Sequence, residues 1–396
     1  MEPAGTFMGL LITGNRILAG DGPAMPASVR IEQNRIRDVG AASAGTGRET
    51  LDTGDLLVLP GIVDLHGDAF ERQLMPRPGV HVDPRVALMD TDRQLLANGI
   101  TTAFHGLTLS WEPGLRGDAA AASFLAALEA VRPLLACDTR LHLRLETGHL
   151  DAVPTVAAWL AQRRIDLLAF NDHLDTIAEK ARNGSSLATY TSRTGLSDAG
   201  FLALLDRVRG RRDAVPAAVR RLAESAMAHG VPMASHDDET PEMRGRYRDL
   251  GCRLCEFPLD AATARAARAA GDPVILGAPN VMRGGSHARR MTASAAITDG
   301  LGTVLTSDYY YPSLVQAAFR LARDRVLDLA AAWRLVSINP AAAVGLADRG
   351  SIEPGRRADL VLVDDTDPDL PRVVGTIAAG RPVFTLMPSM AGTARR

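Results

Sequence analysis

Alternating short apolar runs mark both ends of the chain, and a different pattern fills the middle. Residues 8–58 read as short strands, with Ser28-Val29-Arg30-Ile31-Glu32 and Arg35-Ile36-Arg37-Asp38-Val39 alternating at strand period and turns at Thr13-Gly14-Asn15 and Asp21-Gly22-Pro23. Residues 349–386 behave the same way: Gly350-Ser351-Ile352-Glu353-Pro354-Gly355 is a turn, 358–363 a strand, and Pro382-Val383-Phe384 another. Neither end carries enough apolar surface to fold alone, so the two are expected to pair into one small β-sandwich domain, residues 1–58 with 349–396. Over residues 59–348, short continuous apolar runs alternate with long alanine- and arginine-rich helical segments. That is the pattern of βα units around a parallel sheet. Candidate strands end near Leu65, Phe104, Leu145, Phe170, Ser235, Phe257, Gly277 and Ser307, which predicts an α/β fold closed as a (β/α)8 TIM barrel.

One connection, 174–221, is longer than a crossover needs, and its polar part 181–198 is expected to form a lid or loop over the barrel mouth. The length of 396 residues suits a large barrel plus a small module, and 46% hydrophobic residues are ample for a core. A net charge of -2 gives no general attraction to nucleic acid or anionic membrane, so any phosphate binding must come from a local cluster. Cys137, Cys252 and Cys255 are too few for a disulfide scaffold, and Met1-Glu2-Pro3 lacks the basic start of a signal peptide, so the expected location is cytoplasmic. No stretch approaches the ~20 apolar residues of a membrane-spanning helix. Cys252-Arg253-Leu254-Cys255 lacks a second cysteine pair and reads as core rather than as a zinc ribbon. Oligomeric state stays open, a homo-oligomer included.

Chemistry enters at His66-Gly67-Asp68. An imidazole and a carboxylate two residues apart on an extended chain point to one side, as a divalent ion requires. Partners stand where other apolar runs stop: Glu146, His173, His236 and Asp308. A parallel barrel gathers its strand ends on one face, so these groups are expected to form one site. The expected arrangement is two divalent ions about 3.5–4 Å apart, one held by His66, Asp68 and Asp308 and the other by His173 and His236. Lys180, the sole lysine, lies beyond a strand end and is a poor bridge, which leaves Glu146 as the bridging ligand. Such ions generate hydroxide near neutral pH, and Asp308 is the expected base. Ligands of this type suit zinc, manganese, iron and nickel alike. His142 and Arg144 share strand parity with Glu146 and should face the barrel interior, where a buried arginine implies an anionic partner or support of the metal carboxylates. Tyr309, with Tyr310 and Tyr311 behind it, could donate to a developing negative charge. His81, His105, His149 and His229 read as ordinary packing or surface histidines.

The segment after the seventh candidate strand, Gly277 to His287, is rich in parts that bind anions. Arg283 offers a fork, Gly284 and Gly285 free their backbone N–H groups, and Ser286 and His287 add donors. Loops after the last two strands of such barrels often hold phosphate, and Arg72 and Arg77 add charge near the first strand end. A phosphate-bearing small molecule is therefore the expected substrate.

With these residues assembled, the chain resembles the amidohydrolase superfamily and, within it, the PhnM family of the carbon–phosphorus lyase pathway. The similar stretches are LPGIVDLHGDAFERQLMPRPGV, NGITTAFHG, LHLRLE, FNDH, ASHDDET, CEFP, LGAPNVMRGGSH, SDYYYPS and GSIEPGRRADLVLVD, spanning residues 59–363. PRPGV and APN-x-x-RGGSH are the most specific of them. The resemblance implies a metal-dependent diphosphatase of phosphonate catabolism, which hydrolyses α-D-ribose 1-methylphosphonate 5-triphosphate to the 5-phosphate and pyrophosphate. The family more usually has H-T-D-N where this chain has His66-Gly67-Asp68-Ala69, and polar residues where Thr147-Gly148-His149-Leu150 stands. These departures leave open a related phosphorylated sugar as substrate. Hydrolysis of a C–N bond, as in a cyclic amide hydrolase or deaminase, is the alternative reaction, and a binding protein with a closed structural metal is the non-catalytic one.

Overall fold

Two sheets organise the chain in the computed structural model, which describes residues 9–20, 22–40, 49–183, 186–284 and 291–386. The strands in order are β1 (Leu10–Ile17), β2 (Met25–Glu32), β3 (Arg35–Gly40), β4 (Glu49–Asp52), β5 (Leu57–Pro60), β6 (Ile62–Gly67), β7 (Ile100–Leu109) and β8 (Asp138–Glu146). They continue as β9 (Leu167–Asn171), β10 (Met233–His236), β11 (Leu254–Glu256), β12 (Val274–Gly277), β13 (Val304–Thr306), β14 (Leu360–Asp364), β15 (Arg372–Ala378) and β16 (Arg381–Thr385). The first sheet runs β16-β15-β14-β5-β1-β2-β3, with β4 beside β1. Its seam is the antiparallel pairing of β5 with β14, Leu57 opposite Val363 and Pro60 opposite Leu360, so both ends of the chain share one sheet. They also share a core, in which Leu10, Ile12, Val29 and Ile31 meet Leu360, Leu362 and Ile377.

The second sheet is parallel throughout and runs in sequence order from β6 to β13. Helices cover its outer face, which is why runs such as Ile62–Gly67 and Ile100–Leu109 are buried along their whole length. Closure between β6 and β13 takes two forms. At the N-terminal end the strands stand apart, and residues 335–336 fill the gap, Leu335 O accepting from Leu305 N and Val336 O from Val63 N. At the C-terminal end they meet directly, with Gly67 bridged to Asp308. The nearly closed (β/α)8 barrel and the sheet from both termini are the architecture that the hydrophobic pattern predicts.

Val63, Leu65, Phe104, Leu167, Ala169, Ala234, Leu254, Ile275 and Val304 form one buried cluster, drawn from every barrel strand except β8. At alternate positions β8 carries Arg140, His142, Arg144 and Glu146 instead. Polar groups thus enter the barrel mainly from one strand, and their partners must come from the strands opposite. Gly61 is the only residue between β5 and β6; a Cβ there would lie 2.4 Å from Thr101 Oγ1 and 2.8 Å from Asp359 Cβ. That close approach ties the terminal sheet to the strand that carries His66.

The long connection is helical. Leu174–Arg182, Ala188–Thr194 and Asp198–Arg209 form helices, so the expected polar loop is ordered across the described residues. Its few apolar side chains suffice because they converge: Leu174, Ile177, Leu187, Phe201, Leu205 and Val208 pack with Trp111 from the loop after β7. Arg193 locks the cap in place, its Nε and Nη2 each 2.7 Å from the Glu112 carboxylate, which is only 3% exposed. Arg193→Met leaves that carboxylate buried without its partner, a loss of ~3–5 kcal/mol for a buried pair. Limited proteolysis should then cut first within 174–209; an unchanged cleavage rate there would argue against this anchor.

Among the described residues, no helix is long and apolar enough to cross a membrane.

Candidate metal centre

Barrel closure itself places the first group of site residues. Asp308 N donates to His66 O at 2.9 Å and Asp68 N donates to Asp308 O at 2.9 Å, so the first and last strands are joined through the backbone of the three residues. Asp308 adopts a left-handed backbone with φ 55, which turns the chain sharply as it leaves the strand. Asp64 supports the turn from below, fully buried, accepting from Thr306 Oγ1, Ser307 N and Ser307 Oγ at 2.5, 3.0 and 2.5 Å. Ligand atoms of His66, Asp68 and Asp308 lie within 4.8 Å of one another and could hold a cation.

A second triad stands beside it, formed by His173 after β9 and by His236 and Asp237 at the end of β10. Asp237 also has a left-handed backbone, φ 57, and its Oδ2 lies 3.4 Å from His173 Nε2. Sequence reading selected His173 and His236 here but passed over Asp237. It expected Glu146 to bridge two ions, and the structure sets that carboxylate elsewhere. Glu146 Oε1 accepts from His173 Nδ1 at 2.6 Å and Oε2 from His173 N at 3.2 Å, so Glu146 orients one imidazole from behind. Burial would lower the His173 pKa, but the hydrogen bonds to Asp237 and Glu146 outweigh it and raise the value to about 9.

Glu256, at the end of β11, is the other residue passed over. It is fully buried between the triads, with Oε1 2.7 Å from His66 Nδ1 and Oε2 2.7 Å from His236 Nδ1. Burial opposes its charge, yet His66 and His142 nearby and the hydrogen bond from His236 hold its pKa well below the usual carboxylate range. The signal that could have found it is the one that selected Glu146, an acid closing an apolar strand. Phe257 follows with φ 53 and lays its ring against both His66 and His236, centroids 5.1 Å apart in each case.

From β8, His142 Nδ1 donates to Leu65 O at 3.0 Å, and burial pushes its pKa down to about 3, which keeps the ring neutral. Arg144 reaches between the triads: Nη1 donates to Asp68 Oδ2 and Nη2 to His236 Nε2, each at 3.2 Å. Gly106 makes room for both, since a Cβ there would stand 3.3 Å from Arg144 Cδ and 3.4 Å from His66 Nε2.

Above these groups opens a cavity of about 400 Å³ lined by Arg144, His236, Asp237, Asn280, Arg283 and Asp308, among others. Arg283 ends the short helix Ala278–Arg283, and Gly284 closes it with φ 70. Gly285, Ser286 and His287, read as anion donors, lie outside the described residues. Arg77 is exposed in a turn closed by Val80 N donating to Arg77 O at 3.0 Å, away from the cavity lining. Tyr309 is 39% exposed, and its carbonyl accepts from Arg72. Lys180 sits exposed on the helix Leu174–Arg182, outside both triads.

His66 Nε2 is buried without a hydrogen-bond partner, and ligand atoms of His66, Asp68 and Asp308 lie within 4.8 Å of one another. An unpaired buried lone pair beside acids is what a cation would satisfy, so the His, Asp and Glu clusters fit a metal site.

The family model described as amidohydrolase family matches residues 191–384. The chain is 32% identical over 371 residues to the α-D-ribose 1-methylphosphonate 5-triphosphate diphosphatase of Escherichia coli K12, covering 90% of this chain and 96% of that protein. It is 26% identical to an adenine deaminase of Methylobacterium nodulans, over 98% of this chain but only 60% of the deaminase. Similar folds include N-acetyl-D-glucosamine-6-phosphate deacetylase from Mycobacterium smegmatis, with a TM-score of 0.59, 18% identity and coverage of 94% and 100% of the two chains. N-isopropylammelide isopropylaminohydrolase from Burkholderia multivorans gives a TM-score of 0.63 at 19% identity, with 96% and 98% covered. The 32% identity to the E. coli diphosphatase over nearly the full length of both chains shows kinship, and the chain belongs to the PhnM family of the amidohydrolase superfamily, a superfamily of hydrolases.

Proposed function

We propose that the protein is a metal-dependent diphosphatase that cleaves a 5-triphosphorylated ribose phosphonate between its α- and β-phosphates, giving the 5-phosphate and pyrophosphate. The observation that carries this reading is the meeting, at one cavity, of Asp308, His236 and Asp237 from two acid–imidazole triads with the guanidinium groups of Arg144 and Arg283. Neutral substrates give little reason for two arginines beside such triads, whereas a polyphosphate chain spreads charge that guanidinium forks match. The E. coli relative carries that activity in its name, which supports the substrate class.

His66, Asp68 and Asp308 would hold one divalent ion, and His173, His236 and Asp237 a second. Bound there, such ions would lower the pKa of water and offset charge on the phosphates. Asp308 lines the cavity with its pKa raised to about 6, by burial first and by the neighbouring charge of Asp68 second. A carboxylate at that place could take the proton of the attacking water. Arg144, always charged and only a donor, would follow negative charge as it moves toward the leaving pyrophosphate.

The protein, stripped with chelator and resupplied with zinc, manganese, iron or nickel, should release pyrophosphate from α-D-ribose 1-methylphosphonate 5-triphosphate. Absence of release with all four ions overturns this reading. The similarity to adenine deaminases favours one alternative, hydrolysis of a C–N bond. Ammonia release from adenine without turnover of the triphosphate would establish it instead.

A further inference from the structure

We infer that Glu256 is a positioning residue which accepts the Nδ1 proton of both His66 and His236, so that Nε2 of each ring is left as a lone pair. This rests on the proposed metal reading only for its consequence; the clamp itself stands on hydrogen bonding.

The donors and acceptors around each ring decide the matter. Arginine can only donate, so His236 Nε2, 3.2 Å from Arg144 Nη2, must accept. A neutral His236 ring therefore carries its proton on Nδ1, 2.7 Å from Glu256 Oε2. Glu256 Oε1 makes the same demand of His66 Nδ1 at 2.7 Å, which leaves His66 Nε2 as a lone pair, buried without a hydrogen-bond partner. His142 is fixed by a different acceptor, the carbonyl of Leu65, so its tautomer does not depend on Glu256. The two clamped rings stand 5.5 Å apart and nearly parallel, on strands β6 and β10, and belong to different triads. One carboxylate with two acceptor oxygens thus meets a ring of each triad; Arg144 fixes His236 as well, so His66 is the ring that depends on Glu256 alone.

Glu256→Gln breaks the symmetry while keeping shape. An amide has one acceptor oxygen and one donor nitrogen, so it can accept from only one of the two Nδ1–H groups. Arg144 already obliges His236 to keep its Nδ1 proton. The amide oxygen must then serve His236, and the amide N–H2 faces His66. The expected result is that His66 moves its proton to Nε2, the atom its triad needs as a lone pair.

Two measurements test this. In the unmutated, metal-free protein, at a pH where each ring carries a single proton, ¹⁵N spectra should show both His66 and His236 protonated on Nδ1, with signals assigned through His66→Gln and His236→Gln. In Glu256→Gln the His66 signals should switch to the Nε2–H pattern while those of His236 do not. Zinc titration of the same variant should show one site retained and the other weakened about 10- to 100-fold, the scale on which partners behind a metal histidine act. Proton on Nε2 of either ring in the unmutated protein overturns the inference, and so does Glu256→Gln with both rings unchanged. If the variant does not fold, the unmutated protein alone decides. Correct tautomers in a protein that binds no zinc would defeat the metal reading and leave the clamp standing.

Discussion

Asp308→Asn is expected to lower kcat by ~10²- to 10⁴-fold, the range that a positioned general base contributes. The substitution isolates the proton-accepting role better than most, because the backbone does the structural work at this position. Asp308 closes the barrel through its N–H to His66 O and its carbonyl to Asp68 N, and asparagine makes both bonds equally well. Its φ of 55 lies in the left-handed region, where asparagine is among the few residues at ease. Thermal unfolding of the metal-free variant should therefore match that of the parent. Metal content will fall at the triad with His66 and Asp68, since a neutral amide replaces a carboxylate, so turnover must be compared at saturating metal. Activity within tenfold of the parent under that condition removes Asp308 from the role of base, whatever the metal analysis shows.

Strand ends were the legible part of the site because a parallel barrel writes them plainly. A strand buried on both faces is a largely apolar run, and imidazoles and acids at or just past its end face the common mouth. His66, Asp68, Glu146, His173, His236 and Asp308 all announce themselves in that way. Asp237 did not, because it opens the run Asp237-Asp238-Glu239, where sequence offers no means of choosing. The backbone makes the choice: φ 57 turns Asp237 toward His173, while Asp238 turns under the strand to accept from Ser235 Oγ at 2.5 Å and to face the buried Arg244. Glu256 escaped although it closes its strand, Leu254–Glu256, because the run there is only three residues long and its pattern reads as ending near Phe257. Its two partners lie 190 and 20 residues away in sequence, and only closure of the barrel brings them to one carboxylate. Strand β7 extends to Leu109, past the end expected near Phe104, for a related reason. His105 and Gly106 read as a strand terminus, yet Gly106 continues the strand and leaves space under Arg144 and His66. His105 is buried against Phe70 and Phe124, with burial and Arg132 lowering its pKa to about 4, so it packs as a neutral ring.

Acidification should strip metal from the His173 triad as its imidazole takes up a proton. In the metal-free protein that imidazole has a pKa of about 9, because its hydrogen bonds to Asp237 and Glu146 outweigh burial, so at neutral pH it is a cation. A metal ion must displace the proton, and affinity at that triad should rise about tenfold per pH unit up to about pH 9, ~10³-fold from pH 6 to 9. The first triad responds to Asp308, which burial and Asp68 bring to about 6, and to His66, where burial lowers the pKa but Glu256 outweighs it and raises it. Stability of the metal-free chain moves the opposite way. For His173 the folded pKa exceeds the unfolded value, so its contribution is complete below about pH 6.5 and is lost as pH rises through about 9. The two trends reinforce each other in one observable: the gap in Tm between metal-loaded and metal-free protein, at fixed free metal, should widen steadily from pH 6 to pH 9. A gap that stays constant or narrows over that range would mean that His173 is not the residue whose proton the metal replaces. Repeating the series with Glu146→Gln separates the cause, because loss of that carboxylate should move the steep part of the curve to lower pH by weakening the hold on the His173 proton.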